Sequence, residues 1–193
     1  LNSGKVIENI IENICSNKDI YNINQIEMPL LISMVDLQTG IVYIASSKEN
    51  RTMLSDKTKY ITDIPIGKAV RASCSFPVVF CPCEYKEIQL IDGGTRENLP
   101  WKALKEIGAD EVGGITFNTI YKEEDCCTNI IETAARAMEL QGRELAMYEK
   151  AGIDNLITIN LKKVALLDAK KADELYIAGY EQAKKQIQKL YLH

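Results

Sequence analysis

The stretch Ala69-Val70-Arg71-Ala72-Ser73-Cys74-Ser75-Phe76-Pro77-Val78-Val79-Phe80, followed after a short gap by Ile91-Asp92-Gly93-Gly94, decides the fold. Pro65 and Gly67 bracket the start of a short helix through Val70 and Arg71. Pro77 must end it, because proline lacks the N–H and its ring clashes with the preceding turn. Glu87 to Ile91 reads as a short strand closed by Asp92-Gly93-Gly94. Taken alone, Asp-Gly-Gly is a favoured turn, since glycine reaches positive φ at no steric cost.

The flanking sequence alternates between helical and extended patterns. Ile7, Ile10, Ile11 and Ile14 fall at i, i+3, i+4 and i+7, predicting an amphipathic helix over 5–16. Leu30 to Val35 is a nearly continuous apolar run, consistent with a strand buried on both faces. Leu37-Gln38-Thr39-Gly40 is a turn signal, and Ile41 to Ala45 reads as the returning strand. Pro100 opens a further helix, which stops at Gly108. A strand over 111–117, an acidic loop over 118–125, a long helix over 127–150, a strand over 156–161 and a helix over 169–191 complete the chain. The alternation predicts one α/β domain over 1–193, layered around a largely parallel sheet.

Composition narrows the chemistry. Hydrophobic residues make up 46% and charged residues 26%, the balance of a globular protein rather than a disordered one. A net charge of −4, with no cationic block, argues against nucleic acid as a partner. No secretion signal or membrane-spanning run is visible, so the six cysteines read as reduced thiols in a cytoplasmic setting. Cys81, Cys83, Cys126 and Cys127 could form a thiolate metal site, but their spacing lacks the usual C-x-x-C pairs. No cofactor is expected. The sole histidine is the final residue, His193. A Ser-His-Asp triad or Cys-His pair is therefore excluded within these residues, and a carboxylate must serve as base in any hydrolytic chemistry here.

The ordered set of motifs resembles the C-terminal half of the patatin-like phospholipase domain. Arg71-Ala72-Ser73 to Pro77 leads into a strand ending at Asp92-Gly93-Gly94; Asn98-Leu99-Pro100 and Gly108-Ala109-Asp110 follow. Upstream, Val35-Asp36-Leu37-Gln38-Thr39-Gly40 is similar to the family's preceding strand and turn, and Ala178-Gly179-Tyr180 resembles its bacterial members. The resemblance implies a three-layer α/β/α fold and a metal-free lipid acyl hydrolase that works through an acyl-enzyme and a Ser–Asp dyad. Asp92 would be the dyad's base, with Gly93 and Gly94 as its motif support. The implied partner is a lipid or acyl-ester substrate, met through transient contact with a membrane surface.

The sequence departs from that family in one respect. It contains no Gly-x-Ser-x-Gly nucleophile elbow and no glycine-rich oxyanion loop; Ser3, Ser73 and Ser75 lack the flanking glycines. The expectation is a domain incomplete at its N-terminus, with both elements upstream of Leu1 and the 193 residues inactive by themselves. Such a chain would expose a sheet edge, and would self-associate or pair with the missing segment. The competing reading is a non-catalytic scaffold or binding protein that lacks the nucleophile. Arg71 reads either as a residue ordering the site or as a surface or helix-end salt bridge, and Asn98 as a cap for the helix at Pro100. Ser73 and Ser75 read as cap and turn residues, and Asp36 and Asp110 as turn acids. Phe76, Phe80 and Tyr43 read either as an acyl-chain pocket or as core.

Overall fold

The computed structural model describes residues 2–49, 57–120, 127–162 and 169–191, and within them the α/β alternation is realised as two sheets. The first comprises β1 (Leu31–Asp36), β2 (Val42–Ser46), β3 (Thr58–Ile61), β4 (Cys83–Tyr85) and β5 (Ile88–Asp92), in the order β3-β2-β1-β5-β4. The second pairs β6 (Gly113–Ile120) with β7 (Asn155–Lys162). The helices are α1 (Lys5–Ser16), α2 (Ile66–Ser73), α3 (Trp101–Glu106), α4 (Ile130–Glu149) and α5 (Ala172–Tyr191).

Strand alternation divides the core of the larger sheet into two layers. Met34, Ala45 and Leu90 join Ala69 and Ala72 of α2 on one face, with Ile11 and Cys15 of α1 packed against them. Val35, Val42, Ile44 and Ile91 point to the other face, where Ala103 of α3 covers them. Because successive side chains leave a strand on opposite faces, one run such as Leu31–Asp36 feeds both layers. This is the three-layer arrangement expected of the sequence.

The sheet is not largely parallel. β1 runs antiparallel to both β2 and β5, and β4 antiparallel to β5; only β2 and β3 are parallel within this sheet. The reason lies in the connections. The link from β1 to β2 spans 37–41, long enough for a tight turn but far too short for the crossover that parallel neighbours need. Asp36 organises that turn, its carboxylate accepting the Gln38 N–H (3.2 Å) and the Thr39 hydroxyl (2.5 Å). β3 and β4 escape the sequence pattern because they are short, four and three residues, and carry exposed polar positions.

The α1 face also differs from its periodicity. Ile10 and Ile14 are exposed along with Val6, while Glu8 is buried. α1 crosses α2 at Gly67, where a Cβ would sit 2.7 Å from the Glu8 carbonyl and 2.5 Å from the Glu12 side chain. That crossing turns Glu8 inward, where Arg71 lies 3.7 Å away.

In the second sheet, β6 and β7 are parallel from Gly113↔Asn155 to Ile120↔Lys162. The outer edge of β7 is closed by side chains. Gln186 accepts the Thr158 N–H (3.1 Å) and donates to the Thr158 carbonyl (2.9 Å), and Gln182 makes the same pair with Asn160 (2.9 Å each). Two glutamines four apart on α5 thus stand in for a neighbouring strand, which satisfies an edge that would otherwise recruit another chain. β6 leaves Ile115 and Phe117 exposed. The double variant Gln182→Ala/Gln186→Ala is expected to lose about 1–3 kcal/mol of stability. It should also self-associate more readily in light scattering; unchanged melting and mass would show that the glutamines do not seal the edge.

Candidate active site at the end of the fifth strand

Asp92 is the last residue of β5 and caps the short 3-10 turn Gly93–Thr95. Its backbone is fixed from two sides. It lies opposite Met34 of β1, and its N–H donates to the Ser75 carbonyl just beyond α2 (3.1 Å). The Ser75 hydroxyl in turn donates to the Arg71 carbonyl (2.8 Å). Ser75 is thus a fully buried turn residue that stitches the end of α2 to the start of the Asp-Gly-Gly turn.

The two glycines have separate physical roles. A Cβ on Gly93 would lie 2.1 Å from Ser33 Oγ and 2.6 Å from the Ser33 carbonyl, so no side chain fits where the chain leaves β5 across β1. Gly94 donates its N–H to Asp92 Oδ1 (2.8 Å). Among the described residues this is the one hydrogen bond made to the Asp92 carboxylate. Ser33 is no partner for it. Strand parity places the Ser33 side chain with Val35, on the sheet face opposite that of Leu90 and Asp92.

Burial pushes the Asp92 carboxyl above its ordinary value, partly offset by the Gly94 N–H. Cys74, at the C-terminus of α2, is its neighbour. Burial raises the Cys74 thiol and the negative charge of Asp92 raises it further. Two more acids with the same direction of shift stand on the segment after the motif and on α4. Burial raises Glu97 against the pull of Lys102 and Arg96. Glu149 is raised by burial and by Glu97, against the Leu99 and Asn98 amides and Lys102. Glu97 and Glu149 carry no signal in the sequence, because nothing local marks which face of a long helix meets a loop fifty residues away.

Arg71 stands in the last turn of α2 with Glu8 Oε2 3.7 Å from its Nε, a helix-end salt bridge away from the surface. It is buried, its Nε and Nη2 donate to the Ser3 carbonyl (2.8 and 2.5 Å), and Nη2 also reaches Pro82 O (3.3 Å). It therefore ties the chain before α1 to the segment leading into β4. Between those points Val78 holds φ at 73°, a left-handed conformation that costs a β-branched residue about 1–2 kcal/mol. Asn98 does not cap α3. The N-cap is Pro100, with no side-chain cap, and Glu149 instead accepts the Leu99 N–H (2.9 Å). Asp110 offers its carbonyl to Lys105 (2.6 Å).

Tyr43 packs against the core beneath α2, and Phe80 lies against Gly4. Cys83 is buried in that same core, where burial raises its thiol. Cys127 is exposed and Cys126 lies outside the described residues, as does His193. Among the described residues no three His, Cys, Asp or Glu side chains are grouped so as to hold a metal.

A strand that follows the Arg71–Pro77 segment and ends at Asp92-Gly93 is the order the motifs gave; the half-burial of Asp92 and its bond to Ser75 are seen only in the fold. A sequence model of the patatin-like phospholipase family matches residues 1–105, more than half of the chain. The chain belongs to the patatin-like phospholipase family. Every strand of the larger sheet, Arg71, Ser75 and the Asp92 turn fall within the matched region. Membership in the patatin-like family suggests lipid acyl hydrolysis as the activity and lipids as the substrates. Among the described residues no helix is long and apolar enough to cross a membrane.

The direction of the Asp92 shift fixes a pH dependence. A carboxyl raised in the folded state binds its proton more tightly there than in the unfolded chain. Its contribution to stability is therefore complete below the ordinary carboxyl value and declines as pH rises through the folded value. At pH 7 the buried charge is a cost. Asp92→Asn keeps an acceptor for Gly94 and removes that cost, so its Tm should exceed wild type at pH 7. The rise should be about 2–4 °C per kcal/mol recovered, and the gain should vanish on acidification below pH 4. A lower Tm at pH 7 would contradict it.

Proposed function

We propose that the protein is a lipid acyl hydrolase in which Asp92 is the general base of a Ser–Asp dyad, the serine and the oxyanion loop being supplied by a segment upstream of residue 1. The observation that carries this reading is the Asp92 carboxylate itself. It sits at a strand end with one oxygen fixed by Gly94, no hydrogen bond from another described residue, and its proton affinity raised by burial. A carboxylate of ordinary basicity, near ~3.9, is a weak base for a hydroxyl, and raising its affinity brings it closer to the working pH. Asp92 would take the hydroxyl proton as the serine attacks the ester carbonyl. It would return that proton to the leaving alcohol, then activate water to release the acid. No metal or cofactor takes part in this scheme.

Gly93 and Gly94 support that role by position, one through close approach to β1 and the other through its N–H. The reaction centre is cytoplasmic, with a lipid or acyl ester reaching it by transient contact at a membrane surface. The exposed Ile115 and Phe117 of β6 provide an apolar strand for the upstream segment, or a second copy, to cover. The 193 residues alone form no acyl-enzyme, since they lack the nucleophile elbow.

The test is ester hydrolysis by the product of the natural gene beside the 193-residue chain. The gene product should hydrolyse p-nitrophenyl acyl esters, and the 193-residue chain should not. Asp92→Asn in the gene product should reduce kcat by about 10²–10⁴-fold, the usual worth of a general base. Wild-type rates in Asp92→Asn would remove Asp92 from the mechanism. An inactive gene product of 193 residues would leave the scaffold reading.

A further inference from the structure

The segment between the Asp-Gly-Gly turn and α3 is held at three points. At its start, Arg96 and Glu97 donate their N–H groups to the Gly93 carbonyl (3.0 and 2.9 Å), closing the turn behind Asp92. Within the turn itself, Gly94 is flanked by two side-chain oxygens. A Cβ there would lie 3.1 Å from Asp92 Oδ1 and 3.2 Å from Asn98 Oδ1. At its end, Leu99 donates to Glu149 Oε2 (2.9 Å), and the Asn98 amide favours the same charged carboxylate. α3 has no side-chain cap of its own, so a group from the end of α4, fifty residues on, accepts the amide at its entrance.

The turn that follows α4, Lys150–Gly152, meets the first residue of α3. Just past Glu149, a Cβ on Gly152 would fall 2.0 Å from the Trp101 indole, so the ring lies directly on the Gly152 backbone. Glu149 is half-buried, and the charged groups felt by it are Glu97 and Lys102, which oppose one another. Among the described residues Glu149 makes no ion pair, and its carboxylate is met by the Leu99 N–H with the Asn98 amide beside it.

We propose that Glu149 is a positioning residue for Asp92: its carboxylate anchors Asn98 and Leu99 against the end of α4, and Asn98, lying beside Gly94, holds the turn whose N–H fixes Asp92 Oδ1. The chain of contacts runs from Glu149 to the Leu99 N–H, along the chain to Asn98, whose side-chain oxygen lies beside Gly94, and from the Gly94 N–H to Asp92. Releasing its far end lets the turn rotate and the carboxylate swing toward water. The catalytic consequence rests on the hydrolase reading above, while the geometric consequence does not.

Two readouts on the natural gene product separate these cases. The first is a carbon-13 titration of the Asp92 carboxyl together with the Gly94 amide proton shift. The second is kcat and KM for p-nitrophenyl ester hydrolysis. In Glu149→Ala, Asp92 should titrate at lower pH and the Gly94 amide should lose its hydrogen-bonded shift. kcat should fall about 10- to 100-fold, the scale of a small misplacement of a reacting group, with KM little changed. Glu149→Gln still offers an acceptor to Leu99 and should restore the Gly94 signature and most of kcat. Glu149→Asp, shorter by one methylene, should fall between them, and carries the comparison if the alanine variant does not fold. An unchanged Asp92 titration and Gly94 shift in Glu149→Ala or Glu149→Asp overturns the proposal. If wild type hydrolyses no ester, the hydrolase reading fails and the first readout still decides the role of Glu149.

Discussion

The backbone contact between Gly93 and Ser33 is the constraint on which the rest of the site depends. β5 meets β1 over only three residue pairs, Met34↔Asp92 to Asp36↔Leu90. At the last of β5 the chain must turn away without lifting off β1. A methyl at Gly93 would enter the Ser33 backbone, so glycine permits the turn to stay flush against the strand. With the turn seated there, Asp92 N–H meets the Ser75 carbonyl and Gly94 N–H meets Asp92 Oδ1. A buried backbone amide left without a partner is costly, and each of these contacts removes one such cost while locating the carboxylate.

Burial around Asp92 sets its chemistry. Asp92, Glu97 and Glu149 are all raised by desolvation, and the protein offsets each with a different group: the Gly94 N–H, two flexible cations, and the Leu99 and Asn98 amides. Backbone donors hold a carboxylate in place as well as stabilising its charge, whereas a lysine only attracts it. The stability given up by keeping acids out of water near a strand end is the usual accompaniment of a functional carboxylate. The buried Arg71, with three backbone carbonyl contacts and Glu8 nearby, is the cationic counterpart. Its fork of donors gathers the start of α1, the end of α2 and the approach to β4 around that site.

The smaller sheet solves a different problem. A two-strand parallel sheet has two unpaired edges, and α5 closes one by presenting Gln182 and Gln186 to Asn160 and Thr158. The spacing works because glutamines at i and i+4 lie on one helix face, while Thr158 and Asn160 turn their backbone groups to one strand edge. The same helix shows Tyr176, Ile177 and Tyr180 to solvent, so its inward face is polar where it meets the strand edge and its outward face carries apolar groups. A hydrophobic count over residues 169–191 does not reveal this inversion.

Local physical chemistry made much of the protein legible in the sequence alone. Apolar spacing gave α1, the runs Leu30–Val35 and Ile41–Ala45 gave β1 and β2, and Gly93-Gly94 after an apolar run placed Asp92 at a strand end. With His193 as the sole histidine, the residue types present pointed to a carboxylate for any hydrolytic chemistry here. These features act over a few residues, through side-chain period, turn conformation and residue chemistry. Tertiary structure alone decided the antiparallel pairing around β1, the short strands β3 and β4, the inward turn of Glu8, and the partners Ser75, Arg71 and Glu149. Those contacts join groups up to 68 residues apart. No local preference encodes them, because which backbone amide meets which carboxylate is fixed only when the layers have packed.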